Sequence, residues 1–250
     1  MKLWQGGEHP TTINYYKPEN KCTDVCVLIF PGGGYSFRAE HEGKGYAEFL
    51  AKNGVSSFVV DYRVTPDYFP LPLLDARRAV RFVREHASEY GVNPHKIFVM
   101  GSSAGGHLAA MLSTYTAKIE GEGVDATDDI DFLPDGQILC YPVILCPEAG
   151  NAHEGSYKKL LGEENLAFAP DIDPSRNVTE NTPPAFIWHT AADAGVNVIN
   201  SYEYAKALRN CSVPVEMHIF PEGKHGLGLA GAMPHVAQWT GLLINWIKLF

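Results

Sequence analysis

The sequence predicts an α/β fold with a mostly parallel, doubly wound sheet, and the order of its strand and helix patterns supports this prediction. Short apolar runs rich in β-branched residues alternate with stretches of helical periodicity along most of the chain. This alternating order requires crossover connections, which place helices on both faces of a parallel sheet. The chain has 250 residues, 45% of them hydrophobic, and no internal repeat is visible. We therefore expect a single domain over residues 1–250.

The individual elements follow from the pattern of apolar residues. Apolar runs bounded by polar or turn-forming residues predict strands at 25–30, 55–60, 96–100, 137–141, 185–189 and 215–220. Apolar residues three and four positions apart predict helices around 46–53, 75–87, 101–115, 197–209 and 236–247. Ligands of such sheets bind at the carboxyl ends of the strands, so the loops that leave those ends are the candidates for function.

Three segments outside this regular pattern need an interpretation. In the helix over 75–87, Arg77, Arg78, Arg81 and Arg84 lie largely off the apolar face, which predicts a solvated arginine face. Residues 119–136 contain seven acidic residues and no Lys or Arg, and are interpreted as a solvated acidic loop. That loop enters a strand at its amino end, away from any site. Residues 142–182 leave a strand at its carboxyl end, which predicts a lid over the site.

Charge and cysteine content restrict the partners and the compartment. The 20 basic and 29 acidic residues give a net charge of −9, which disfavours nucleic acid and acidic membrane surfaces as partners. The five cysteines lack the spacing of a zinc site and are expected to be free thiols of a cytoplasmic protein. Residues 1–10 do not resemble a secretory leader, and no apolar run is long enough to span a membrane. Assembly into a homo-oligomer is left open.

The strongest functional motif is Gly-x-Ser-x-Gly at residues 101–105, with Ser103 at its centre. It follows a predicted strand and opens a predicted helix, the context in which this motif forms a nucleophile elbow. The glycines permit a sharp turn that exposes the serine hydroxyl, and the helix amino terminus favours developing negative charge. Ser102 does not fit, because Met100 occupies the position of the first glycine.

A nucleophilic serine requires a base and an acid that orients it. Of the ten histidines, His225 lies in a glycine-flanked loop just after a late strand, whereas His107 is expected to be a structural residue of the helix. Asp193 follows the strand at 185–189 and is the preferred acid. Glu148 and Asp171, both in the predicted lid, are weaker candidates.

Residues 31–35, Pro-Gly-Gly-Gly-Tyr, directly follow the first buried strand. Consecutive glycines let backbone N–H groups approach a substrate without a Cβ in the way. Together with the N–H of Ala104, these N–H groups can hold the oxyanion of a tetrahedral intermediate.

The segments PGGGY, EHEG, DYR, GSSAGGHLA, HTAAD and KHG resemble the small esterase and lipase branch of the α/β-hydrolase superfamily. The chain is similar there to hormone-sensitive-lipase-like enzymes and to bacterial acetyl-ester hydrolases, from about residue 24 to 245. The resemblance implies an α/β-hydrolase fold, with Ser103, Asp193 and His225 as the catalytic triad. It also places oxyanion donors on Gly33, Gly34 and Ala104, and implies no metal and no organic cofactor.

Two departures from these relatives shape the expected substrate. Pro31 stands where they carry the histidine of His-Gly-Gly-Gly, and only about 24 residues precede the first buried strand, too few for their amino-terminal cap. An open site without a cap favours small-molecule esters with short acyl chains, such as acetylated sugars or xylo-oligosaccharides. Tyr35 and Tyr157 are candidate stacking surfaces for a sugar, or else packing residues.

The same triad leaves two alternatives open. An amide or peptide hydrolase, resembling an arylformamidase or a prolyl peptidase, would use identical residues. A non-catalytic binding protein could also have kept this fold. Comparison of ester with amide substrates separates the first alternative from a carboxylesterase, and labelling by a fluorophosphonate separates the second.

Overall fold

The computed structural model describes residues 1–4 and 11–250, and a twisted sheet organises that part of the chain. Its seven strands run in the order β1-β3-β2-β4-β5-β6-β7, with β1 antiparallel to β3 and the other neighbours parallel. The strands are β1 (Ile13–Tyr16), β2 (Cys26–Phe30), β3 (Ser56–Val60), β4 (Ile97–Ser102), β5 (Gly136–Cys140), β6 (Ala185–Thr190) and β7 (Val215–Phe220). The predicted mostly parallel α/β fold is therefore confirmed.

Helices cover both faces of the sheet. They are α1 (Glu40–Lys52), α2 (Leu71–Glu85), α3 (Ala87–Tyr90), α4 (Ala104–Thr114), α5 (Glu154–Leu161), α6 (Ile199–Asn210) and α7 (Trp239–Ile247), with short 3₁₀ helices between some of them. Side chains of β2 alternate between the faces: Leu28 and Phe30 join the core under α2, α4 and α6, whereas Val27 and Ile29 join the core under α1 and α7. This period of two places apolar residues on both faces, as a parallel sheet requires.

The antiparallel edge strand β1 was not predicted from the sequence. Its residues, Ile-Asn-Tyr-Tyr, include one fully buried side chain, Ile13, whereas Asn14 is exposed. An edge strand is half solvated, so it lacks the continuous apolar run by which the central strands were recognised. The strand is stabilised by its pairing with β3, in which Ile13 lies opposite Val60, and the local sequence does not indicate this partner.

The prediction of a solvated arginine face on α2 is wrong. Arg77, Arg78 and Arg81 are buried, and the side chain of Arg84 is only 10% exposed. Arg77 donates to Glu122 at 2.8 Å and its guanidinium lies 4.1 Å from the centre of the Phe132 ring. These side chains cover apolar surface along their stems while their charged ends meet partners in a neighbouring segment.

That segment is the acidic stretch 119–136, so its interpretation as a solvated loop is wrong in part: the side chains of Glu122 and Asp128 are largely buried against the arginines, whereas Glu120, Asp129 and Asp131 are exposed. Asp125 makes a paired contact with Arg78 at 2.5 and 2.8 Å. The Ile130 carbonyl accepts from Arg81 at 2.8 Å, and the Glu122 side chain is only 9% exposed. The acidic residues neutralise the arginines of α2, and the pattern was missed because the two segments lie some 45 residues apart. The stretch leads into the amino end of β5, as expected.

All five cysteines are free, as expected, and Cys26, Cys140 and Cys146 are buried. No helix within the described ranges is both long enough and apolar enough to cross a bilayer. The expectation that residues 1–10 are not a leader falls partly on residues 5–10, which lie outside the described residues.

Candidate active site

The elbow at residues 101–105 lies where β4 ends and α4 begins. A Cβ on Gly101 would collide with the backbone of Gly105, and a Cβ on Gly105 would collide with the carbonyl of Phe30 on β2. Both glycines are therefore required by the close approach of α4 to the sheet. Ser103 adopts φ 54° and ψ −118°, a strained conformation for a residue with a side chain. The turn is held by the Ser103 N–H, which donates to the Cys140 carbonyl at 3.0 Å.

The structure brings Ser103, His225 and Asp193 together from three separate loops. The Nε2 atom of His225 lies 2.8 Å from Oγ of Ser103, and its Nδ1 atom lies 2.7 Å from Oδ2 of Asp193. An ionised carboxylate only accepts hydrogen bonds, so Nδ1 carries the proton and Nε2 is free to accept from the serine hydroxyl. The other acids considered lie elsewhere: Glu148 is paired with Arg176 at 3.9 Å, and Asp171 is exposed.

The carboxylate of Asp193 is held by more donors than His225 alone. The N–H groups of Gly195 and Val196 donate to Oδ1 at 2.8 and 2.9 Å, and Nε2–H of His189 is shared between Oδ2 at 3.2 Å and the Val196 carbonyl. Burial alone would raise the pKa of Asp193, but the hydrogen bonds from His189, His225 and Val196 outweigh it and lower the pKa. Asp193 is therefore ionised, and His189, which lies in the same HTAAD segment, helps to fix its position.

The glycine-rich turn after β2 leaves two amide donors unused beside Ser103. Gly33 and Gly34 have φ values of 132° and 63°, which favour glycine. Across the described residues, no internal hydrogen bond uses the N–H of Gly33, Gly34 or Ala104. Gly33, Gly34 and Ser103 line one cavity, and Ala104 is the first residue of the helix behind Ser103. The three donors predicted for an oxyanion thus lie around the serine with their N–H groups available.

The cavity over Ser103 has a volume of about 600 Å³ and includes two side chains that sequence analysis did not identify. Phe37 lies in the loop before α1 and is 61% exposed. His153 comes from the segment 142–182, and its Nδ1 accepts from the backbone N–H of Ser156, so Nε2 carries the proton. Burial and the neighbouring His225 lower the pKa of His153. Neither residue belongs to a motif, so no local signal distinguished them.

A second cavity of about 540 Å³ adjoins the first. The two share Phe37, Arg38, Ala39 and Glu40, so this stretch of chain forms the wall between them. The other residues that line the second cavity are mainly polar, with Pro31, Val59 and Val64 as the apolar ones. Its additional polar lining residues are Asn14, Tyr16, Ser36, Lys44 and Asp61.

The tyrosines considered as stacking surfaces do not fit that role. Tyr35 and Tyr157 are each 1% exposed, so neither ring can be reached by a bound sugar. Their hydroxyls lie on either side of His107, 2.8 Å from Nδ1 and 3.2 Å from Nε2. Tyr157 donates to the Ile144 carbonyl at 2.7 Å, so it accepts from Nε2–H of His107, and Tyr35 donates to Nδ1. Both tyrosines are packing residues, and His107 is a hydrogen-bonded structural histidine.

The arrangement can perform acyl transfer. A hydroxyl, a neutral imidazole that accepts its proton and an ionised carboxylate follow one another at hydrogen-bonding distance beside free backbone donors. No cluster of three or more His, Cys, Asp or Glu side chains in residues 1–4 and 11–250 is arranged to bind a metal ion.

One protein family and two curated proteins are similar to this chain over most of its length. The BD-FAE family profile matches residues 13–208. The chain is 36% identical over 257 aligned residues to endo-1,4-beta-xylanase B of Butyrivibrio fibrisolvens, covering 96% of this chain and 39% of that protein. It is 33% identical to an acetylxylan esterase of Xylanibacter ruminicola, covering 93% of this chain and 47% of the relative. The chain thus spans less than half the length of these two curated relatives.

A solved structure matches along nearly the whole chain. The acetyl ester-xyloside bifunctional hydrolase from Caldicellulosiruptor lactoaceticus superposes with a TM-score of 0.91 at 39% identity, covering 99% of this chain and 94% of the other. The resemblance to bacterial acetyl-ester hydrolases is therefore confirmed, together with the fold that it implied. The family match spans most of the sequence, and the strand order and flanking helices agree with it. The chain belongs to the BD-FAE family and has the α/β-hydrolase fold.

Proposed function

We propose that this protein is a serine carboxylesterase that removes short acyl groups, acetyl above all, from esterified sugars. The observation that carries the proposal is the continuous contact from Asp193 through His225 to Ser103, at 2.7 and 2.8 Å. Relatives named for acetylxylan and for acetyl ester and xyloside hydrolysis support the chemical class of the substrate. We further propose that residues 1–250 act as one catalytic domain.

The chemistry proceeds through an acyl-enzyme. Ser103 Oγ attacks the ester carbonyl while His225 Nε2 takes its proton, and the same imidazole then protonates the departing sugar oxygen. Asp193 holds the Nδ1 proton and stabilises the imidazolium that forms. Water then adds to the acyl group on Ser103, with His225 again accepting the proton, and the short-chain acid is released.

Negative charge that develops on the carbonyl oxygen needs donors already in place. We assign them to the N–H groups of Gly33, Gly34 and Ala104, which make no other hydrogen bond in the described chain. Loss of one such donor typically costs about 3–4 kcal/mol of transition-state stabilisation. Because these donors belong to the backbone, their positions depend on the loop conformation rather than on side chains.

The sugar part of the substrate is proposed to lie against Phe37. This ring is exposed at the wall between the two cavities, and the C–H face of a sugar can cover such a ring. The adjoining polar cavity would receive the next sugar of an oligosaccharide. On the other side, the segment 142–182 acts as the lid and presents Nε2–H of His153 to the substrate.

The test compares esters with acetylated xylo-oligosaccharides and with a matched anilide. We expect hydrolysis of p-nitrophenyl acetate and of the acetylated oligosaccharide, loss of both in Ser103→Ala, and little cleavage of acetanilides. Phe37→Ala should raise KM for the oligosaccharide about tenfold and leave p-nitrophenyl acetate within about twofold. Val124→Ala, which removes another exposed apolar side chain, is the control. An enzyme that cleaves the anilide in preference to the ester would contradict the proposal.

A further inference from the structure

We propose that Glu42 and Tyr141 form a buried clamp that aligns the glycine-rich loop 31–35 with the loop that carries His225. In this view Glu42 is a positioning residue for the reaction. The proposal rests on the proposed esterase function, because it concerns groups that must act on the same carbonyl. Neither residue belongs to the triad, and Glu42, although it lines the cavity over Ser103, has both carboxylate oxygens occupied by donors of the protein.

The carboxylate of Glu42 contacts a different element with each of its oxygens. Glu42 lies in the first turn of α1 and is 3% exposed. Its Oε2 accepts from the N–H of Gly32 at 2.9 Å, and its Oε1 accepts from the hydroxyl of Tyr141 at 2.6 Å. A Cβ on Gly32 would collide with this carboxylate, so the glycine permits the approach. Burial of a carboxylate is unfavourable unless hydrogen bonds of this kind compensate it.

Tyr141 connects Glu42 to the loop of His225. Its hydroxyl accepts from the N–H of Gly228 at 3.0 Å while it donates to Glu42. The ring of Tyr141 lies edge-on to His225, with centroids 5.2 Å apart. A second link comes from the same turn of α1, because His41 Nε2–H donates to the carbonyl of Gly226 at 3.1 Å. Two residues of one helical turn therefore hold the histidine loop.

The network also reaches the elbow. The hydroxyl of Tyr46 lies 3.1 Å from that of Tyr141 and 2.9 Å from Oγ of Ser102, the neighbour of Ser103. The loops proposed to supply the oxyanion donors, the base and the nucleophile thus share one buried set of hydrogen bonds. Their shared centre is the Glu42–Tyr141 pair.

The clamp matters for the rate because the oxyanion donors, Ser103 and His225 must be aligned with one another in the transition state. Gly32 directly precedes Gly33 and Gly34, so holding its N–H limits how far the loop that carries their donors can shift. Misplacement of a reacting group by about 1 Å can cost about 100-fold in rate. Donors that strengthen only as the oxyanion forms affect kcat more than KM. Loss of the clamp should therefore lower kcat more than it changes KM.

The test uses Glu42→Gln and Tyr141→Phe with p-nitrophenyl acetate. Gln keeps the shape of Glu, but its Nε2 only donates, so one donor of the clamp loses its acceptor. We expect kcat to fall about 10- to 100-fold in Glu42→Gln and about tenfold in Tyr141→Phe, with KM within about threefold. The double variant should be no slower than the slower single variant, because the two residues act as a unit.

The control is Tyr204→Phe, which removes an equally buried hydroxyl that donates to Gln137 Oε1 at 2.9 Å, outside this network, and should change kcat by less than about threefold. Unfolding temperatures are measured for every variant, and rates are compared well below them. Wild-type kcat in folded Glu42→Gln and Tyr141→Phe, or losses no larger than that of Tyr204→Phe, would overturn the clamp. If Glu42→Gln does not fold, Tyr141→Phe decides alone. A wild-type protein inactive on esters would instead overturn the proposed function.

Discussion

The Nε2 atom of His225 lies 2.8 Å from Oγ of Ser103, although 122 positions separate the two residues in the chain. The contact exists because β4 and β7 end at the same edge of a parallel sheet and the loops beyond them meet there. Asp193, after β6, completes the contact from a third loop. The strand order therefore determines which side chains meet at the site. Substitution of each side chain then tests what it contributes to the reaction.

Ser103→Ala should reduce kcat on p-nitrophenyl acetate by about three or more orders of magnitude and leave the unfolding temperature nearly unchanged. The reason is that the hydroxyl is the only nucleophile in the proposed mechanism. Ser102→Ala is the matched control, since that hydroxyl is buried against Tyr46 at 2.9 Å and should alter kcat by less than about fivefold. If Ser102→Ala were the inactive variant, the elbow would be wrongly placed.

Asp193→Asn should reduce kcat by roughly three to four orders of magnitude, because the neutral amide no longer selects the Nδ1–H tautomer of His225. The variant is compared with wild type in steady-state assays, with Glu148→Gln and Asp171→Asn as controls expected within about tenfold. Near-normal turnover of Asp193→Asn would require a different acid, and the segment 142–182 would be searched first.

The regular elements and the elbow were predictable because their signals are local. Central strands such as β2 are continuous apolar runs, and the spacing of Gly101, Ser103 and Gly105 records the close packing of α4 on the sheet. Both signals can be recognised in the sequence alone, before the rest of the fold is known.

Features that depend on distant partners could not be predicted in this way. Arg77 resembles a solvated helix residue until Glu122 and Phe132 are brought against it. Tyr35 follows three glycines and resembles an exposed loop residue, yet it is buried against His107. Glu42 lies in the EHEG segment that resembles known esterases, but its role could not be predicted from that segment, because it arises only when the loops of Gly32 and Gly228 meet.

The rate should depend on acyl chain length, with kcat/KM highest from acetyl to butyryl and lower by octanoyl. A long chain contributes about 0.8 kcal/mol for each methylene only where apolar surface covers it. Apart from glycines, the cavity over Ser103 offers Phe37 and Ala39 as apolar lining, among polar and charged neighbours. A series of p-nitrophenyl esters measures the profile, and replacing residues of the segment 142–182 should shift it. Preference for dodecanoyl esters would contradict an open site.

Loss of the acidic partner of Arg77 should destabilise the fold without slowing the reaction. Glu122→Gln leaves the buried guanidinium without its counter-charge, at a cost of about 3 kcal/mol in the free energy of unfolding. Denaturant unfolding measures the change, and kcat should stay within about twofold because segment 119–136 lies at the amino end of β5. Glu120→Gln, an exposed neighbour in the same segment, is the control and should be neutral. A drop in kcat specific to Glu122→Gln would link the segment to the site.

Stability should fall on mild acidification because of His107. Complete burial lowers the pKa of His107 to about 4, whereas the unfolded chain has the ordinary value of about 6.5. Between these values the unfolded state binds the extra proton, so the free energy of unfolding decreases as the pH is lowered from 6.5 to 4, by about 3 kcal/mol in total. Above pH 6.5 this contribution is fully present.

Denaturant unfolding at a series of pH values should reveal this slope in wild type. His107→Gln removes the titrating ring, so it should be less stable at pH 7 but lose less stability between pH 6.5 and 4. His95→Gln, at an exposed position, should keep the wild-type slope. An unchanged slope in His107→Gln would mean that burial does not hold His107 neutral in the folded state, and the acid sensitivity would have to originate from another group.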